Sequence, residues 1–240
     1  RQNVNMVCCW GVMKKGEKIM SILKEHLKRN CDARMVGVLS LSIREAYRYL
    51  MELTERESIF QRAEMKKVWG HVRHGLVDVG LKQVLTSSAI PHEIADKASS
   101  RYVNGHTYLM IETKGAILTP AKVLSEASVP KKALFRNRGS LLNKQYNLFD
   151  KPEDLNEYYD ANQPPFLLLT YGGSNHQLRF VRLGLPDIGV GRWIDQIDIT
   201  QAPVLLKNPE EVRKDLHLTF TSTADELIRR GLENEREVDF

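Results

Sequence analysis

The chain changes its apolar rhythm near residue 100, and that change limits the folds open to it. Before it, apolar residues recur at helical spacing. Ser21 can cap a short helix carrying Ile22, Leu23 and Leu27. Ser42-Ile43-Arg44-Glu45 has the form of a capping box, in which hydroxyl and carboxylate satisfy free backbone N–H groups reciprocally, with Ile43, Tyr47 and Leu50 behind it. Thr54-x-x-Glu57 restarts or continues that helix. Val68, Val72, Leu76 and Val79 form a further stripe, ended by Thr86-Ser87-Ser88. Pro91 suits the first turn of another short helix, so residues 21 to 95 are expected to be helical.

From Ser100 the pattern is that of strands. Asn104-Gly105 is a strong two-residue hairpin turn, because both residue types tolerate positive φ. His106 to Glu112 and Ala116 to Val123 read as strands, and residues 124–163 as irregular. Phe166 to Tyr171 and Leu178 to Leu183 read as a hairpin across Gly172-Gly173-Ser174-Asn175, and Trp193 to Ile199 as a further strand. Asn208-Pro209-Glu210-Glu211 combines a cap, a first-turn proline and two acids, and so starts a helix. Thr223-x-x-Glu226 opens a last one to about Leu232. The expected class is α+β: a helical N-terminal part, then a mainly antiparallel sheet of hairpins with C-terminal helices. Residues 20–99 and 100–240 are its two parts, in one domain or two.

Lys15-Gly16-Glu17-Lys18-Ile19-Met20 can be encoded as a purine-rich ribosome-binding site followed by a start codon. On that reading residues 1–19 are a translated leader in a bacterium or phage; the alternative is a segment cut from a longer chain. The choice bears on charge. Arg1, Lys14, Lys15 and Lys18 against Glu17 give the leader +3 of the formal +5, leaving +2 from Met20 onward. The stretch from Glu210 holds nine acids against five bases, so the basic character lies in the middle of the chain. The three cysteines, Cys8, Cys9 and Cys31, form no Cys-x-x-Cys pair, which fits a reducing cytoplasm. No apolar run approaches the roughly 18 residues of a membrane helix. No phosphate-loop, dinucleotide, His-Glu-x-x-His or Gly-x-Ser-x-Gly motif occurs.

Gln145-Tyr146-Asn147-Leu148-Phe149 resembles the bacterial sliding-clamp-binding pentapeptide, whose usual form is Gln-Leu-Ser/Asp-Leu-Phe. Gln145, Leu148 and Phe149 match; Tyr146 stands where Leu is usual. The resemblance implies recruitment to a sliding clamp, with two apolar anchors seated in a pocket and the amide oriented by hydrogen bonds. Upstream lie Lys131, Lys132, Arg136, Arg138 and Lys144 without an intervening acid, interleaved with Phe135. Cations neutralise phosphates while aromatic faces stack on unpaired bases, so this segment is expected to contact DNA or RNA. The alternative is a solvated loop balanced by the acidic run Asp150 to Asp160.

Asp96 with Glu112-Thr113-Lys114 resembles the core of PD-(D/E)XK nucleases. That resemblance implies a divalent ion, Mg²⁺ or Mn²⁺, held by Asp96 and Glu112, with Lys114 stabilising charge at the phosphate. Asp96 is expected in a helix rather than a strand, and Ala95 and Gly115 also depart from the family pattern. His71, His74 and Asp78 fall along one side of a helix and are chemically suited to ligate a metal. Three functions follow as expectations: a DNA-associated bacterial, phage or mobile-element protein recruited by peptide and basic loop, without demonstrated catalytic machinery; a metal-dependent nuclease; or a protein-interaction module of toxin, antitoxin or anti-defence type. Composition leaves the oligomeric state open.

Overall fold

The computed structural model describes residues 21–98, 107–143 and 164–237, those from 227 onward for the backbone alone. Residues 1–19, expected as a leader, Asn104-Gly105, expected as a turn, Lys144, Gln145–Phe149 and the acidic run Asp150 to Asp160 lie outside the described residues.

The class is α+β. Helices α1 (Ile22–Asn30), α2 (Met35–Arg56) and α3 (Trp69–Ser88) come first, with two short 3-10 turns between α2 and α3. Six strands follow: β1 (His92–Ala98), β2 (Thr107–Thr113), β3 (Ile117–Lys122), β4 (Phe166–Ser174), β5 (Gln177–Pro186) and β6 (Trp193–Asp198). A short helix, α4 (Leu134–Ser140), lies between β3 and β4, and α5 (Pro209–Glu237) is the last element among the described residues. The strands pair in sequence order, antiparallel throughout except for the parallel pair β3–β4. Between β2 and β3 the ladder ends at Ile111↔Leu118. Pro120, which has no N–H to give, falls just beyond that point, and the Thr119 hydroxyl bridges to the Leu109 carbonyl at 2.8 Å.

The sheet buries both faces. Leu109, Ile111, Leu118, Leu167, Leu169, Tyr171, Val181 and Leu183 join the helices in one apolar cluster. Phe166, Leu168 and Val190 form a second on the opposite face, against the segment that carries α4. α2 is buried nearly all round because it lies between the sheet and the pair α3, α5. Gly37 permits this: a Cβ there would strike the Pro203 carbonyl. At the far edge, Asp195 of β6 fastens α1. Its Oδ2 accepts from the Ser21 hydroxyl at 2.6 Å and from Leu23 N–H at 2.8 Å. No helix among the described residues is long and apolar enough to cross a membrane.

Several local expectations are corrected. Residues after Pro91 form strand β1 instead of a short helix, so Asp96 lies in a strand. Ser42 lies inside α2 and donates to the Val38 carbonyl, because Met35–Leu41 already continue the helix behind it. α3 buries Trp69, Leu76, Val77, Leu81 and Val84, which leaves Val68 exposed. The β4–β5 turn is Asn175-His176, both at positive φ (49° and 63°), while Gly172 and Gly173 sit in the strand at a register shift. Thr223 opens no new helix; its hydroxyl donates to the Thr219 carbonyl within a continuous α5.

Candidate functional site

The basic segment is held firmly against the sheet. Asn143 is fully buried; its Nδ2 donates to the Phe166 and Pro186 carbonyls (2.8 and 2.9 Å), and its Oδ1 accepts from Phe166 N–H at 2.8 Å. Ser140 accepts from Gly189 N–H at 3.0 Å. At the other end, Trp193 Nε1 donates to the Ala127 carbonyl at 3.3 Å. α4 is therefore fixed over β2–β4.

Phe135 of α4 stacks on Tyr108 of β2, ring centroids 3.7 Å apart and nearly parallel at 11°. This pair, with Met110, Ile117, Leu142, Phe166 and Arg138, lines a groove of about 340 Å³. Lys131, Lys132 and Arg138 are exposed. Arg136 is turned inward: Nη1 donates to the Lys131 carbonyl at 2.8 Å, and its guanidinium carbon lies 4.8 Å from the Phe135 ring centre. Burial lowers its pKa. Arg136 thus braces the loop, while the other three cations reach solvent. Between Ala127 and Asn143 there is no acid. Aromatic surface with exposed cations on the same segment can hold unpaired bases and the phosphates between them.

Asp96 and Glu112 lie on neighbouring strands but point to opposite faces. Asp96 is in register with Leu109, whose side chain faces the helices, and its Oδ2 meets Lys82 Nζ of α3 at 2.7 Å. Glu112 is in register with Glu93 on the α4 side, and Lys97 Nζ is 3.9 Å from its Oε1. Lys114 lies past the strand end, in a bend closed by Thr113, whose hydroxyl donates to the Ala116 carbonyl at 3.0 Å. A shared divalent ion needs both carboxylates on one face, so these residues do not fit the ion the resemblance implies.

His71 is exposed on α3. His74 and Asp78 do approach each other, Nε2 to Oδ2 at 3.9 Å, and His74 Nδ1 lies 3.3 Å from the Tyr171 hydroxyl. Burial, with Asp96 nearby, outweighs the opposing pull of Lys82 and pushes the Asp78 carboxyl up to about 7. No three His, Cys, Asp or Glu side chains among the described residues are grouped to hold a metal ion.

The pattern passed over the residues around this pair. Arg73 is buried (8% exposed), and its guanidinium carbon stands 5.4 Å from the Tyr47 ring centre. It makes no hydrogen bond or ion pair among the described residues, and its Nε is fully enclosed. Even partial removal of a cation from water is unfavourable unless a partner compensates it. A cation on a tyrosine face recovers about 1–2 kcal/mol. A signal was present: Arg73 shares the helical phase of Trp69, Leu76, Val77 and Gly80, a position where a charge is out of place.

Scans of the chain against protein-family models, curated proteins and solved structures return no match.

Proposed function

We propose that this chain is a nucleic-acid-associated protein that binds unpaired strands across the α4 face of its sheet. The observation that carries this reading is the stacked Tyr108–Phe135 pair in a groove that Arg138 also lines, with exposed Lys131 and Lys132 just before α4 in the chain. Phosphate neutralisation supplies the affinity and ring surface supplies the preference for unpaired bases. The Gln145–Phe149 peptide follows this segment in the chain, so recruitment to a bacterial sliding clamp belongs to the same reading, as does a role in a bacterium, phage or mobile element.

The test is binding of a fluorescent single-stranded oligonucleotide to the protein and to a Lys131→Ala/Lys132→Ala/Arg138→Ala variant. All three side chains are exposed, so the fold should survive. Affinity at least tenfold lower in the variant is expected, and equal affinity would discard the reading. For the peptide, clamp binding lost on Leu148→Ala/Phe149→Ala is expected; no binding by the parent would remove that part alone.

A further inference from the structure

Arg73 lies one turn into α3, a helix that contacts β3. Three groups from other elements converge on it. The Tyr47 hydroxyl of α2 is buried and has no hydrogen-bond partner among the described residues. Lys122, the last residue of β3, is in register with Tyr171, whose ring meets that of Tyr47 edge-on at 6.1 Å; burial and the Arg73 charge lower the Lys122 pKa. His176 in the β4–β5 turn feels the same two effects. Its ring lies 4.3 Å from Trp69, and its Nδ1 is enclosed without a partner. His176 also holds positive φ (63°), at a turn position that glycine or asparagine occupies more comfortably. That conformation keeps the imidazole on Trp69, one turn before Arg73 in α3.

Two cations, an imidazole and a phenol hydroxyl are thus gathered here with no carboxylate among them. Like charges gathered this way repel unless an anion lies between them. Asp78 does not serve, because its Oδ2 is directed to His74 Nε2 at 3.9 Å, on the preceding turn of α3. Lys122 is exposed and His176 half-buried, which leaves the site open to solvent on that side.

We infer that Arg73, Lys122, His176 and the Tyr47 hydroxyl form a binding site for a phosphate group. A guanidinium fork with an ammonium and an imidazole N–H matches the several acceptor oxygens of a phosphate dianion. The site lies on the helix side of the sheet, on the face opposite α4, and is independent of the nucleic-acid reading.

The experiment is calorimetric titration of the full chain with inorganic phosphate and, separately, with a nucleoside 5′-monophosphate, at constant ionic strength set by sodium chloride. Saturable binding is expected. Inorganic phosphate binding as tightly as the ester would identify free phosphate as the ligand; tighter ester binding would identify a phosphate monoester. Lys122→Ala alters an exposed position and His176→Gln a half-buried one, and each should weaken binding about tenfold. Arg73→Met should abolish binding while unfolding near the parent's temperature without ligand, since it keeps the apolar stem and removes an unpaired guanidinium whose Nε is enclosed. If Arg73→Met does not fold, the other two variants decide. No binding of either probe by the parent, or undiminished binding in Lys122→Ala and His176→Gln, would overturn the inference.

Discussion

Asp78 sits where α3 meets β4, with Oδ1 enclosed and unpartnered. His74 faces it from its own helix, Lys82 lies one turn on, and Asp96 approaches from β1. An unfolded aspartate titrates near 4, whereas this carboxyl titrates at about 7. Below pH ~4 both states hold the proton and the shift costs nothing. As pH rises from ~4 through 7, the unfolded chain releases its proton while the folded chain retains it, so stability is lost across that window. Asp78→Asn stays neutral throughout. It should match the parent below pH 4 and exceed it at pH 8, by no more than about 4 kcal/mol. Urea denaturation at pH 4, 6 and 8 measures this. A less stable Asp78→Asn at pH 8 would mean the carboxylate is paired after all, with protonated His74 the nearest partner. His26 acts in the opposite direction. It is buried with its Nε2 at 2.8 Å from the Gly115 carbonyl, and burial lowers its pKa, so its contribution is lost as pH falls below the ordinary histidine value.

Elements in this fold are tied to one another by single side chains. α1 is held to β6 by Asp195, which accepts from both its N-cap hydroxyl and a first-turn N–H. A carboxylate there also complements the positive end of the helix. Asp195→Ala should cost about 1–2 kcal/mol and loosen α1 first, which denaturation and limited proteolysis near Ile22 would register. Unchanged stability would mean that apolar docking of Leu23 and Leu27 alone holds the helix. Elements with strong alternation or strong punctuation were readable from sequence. β4 and β5 have long apolar runs separated by turn residues, and α5 begins at Asn208-Pro209. β1 was not readable, because an edge strand of His-Glu-Ile-Ala-Asp-Lys-Ala offers little apolar alternation and follows a proline. Its strand state comes from pairing with β2 along its whole length. Capping signals misled where helix continued past them, as at Ser42 and Thr223, since a hydroxyl can donate to the carbonyl four residues back instead. The site was legible only in part. The cations of 131–138 could be listed from the sequence, but the Tyr108–Phe135 stack joins residues from two different elements. Arg136 turns inward for the same tertiary reason: its ring and carbonyl partners are set by the loop's course over the sheet.

At the scale of the molecule, one sheet separates two chemically distinct faces. The helix side carries the large apolar core with the Arg73 cluster at one end. The other side carries α4, its exposed cations and an aromatic groove. The net charge is modest, so attraction to a polyanion must come from this local patch rather than from the whole field. That makes ionic strength the most discriminating variable. The most direct measurement is the affinity of the full chain for a single-stranded oligonucleotide as a function of salt, alongside the Lys131→Ala/Lys132→Ala/Arg138→Ala variant. Affinity should fall linearly on logarithmic axes, and the slope should be shallower by about 2 in the variant, since three phosphate contacts are removed at roughly 0.7 each. A parent that does not bind, or one whose salt slope the variant leaves unchanged, would contradict assignment of the nucleic-acid surface to the α4 face.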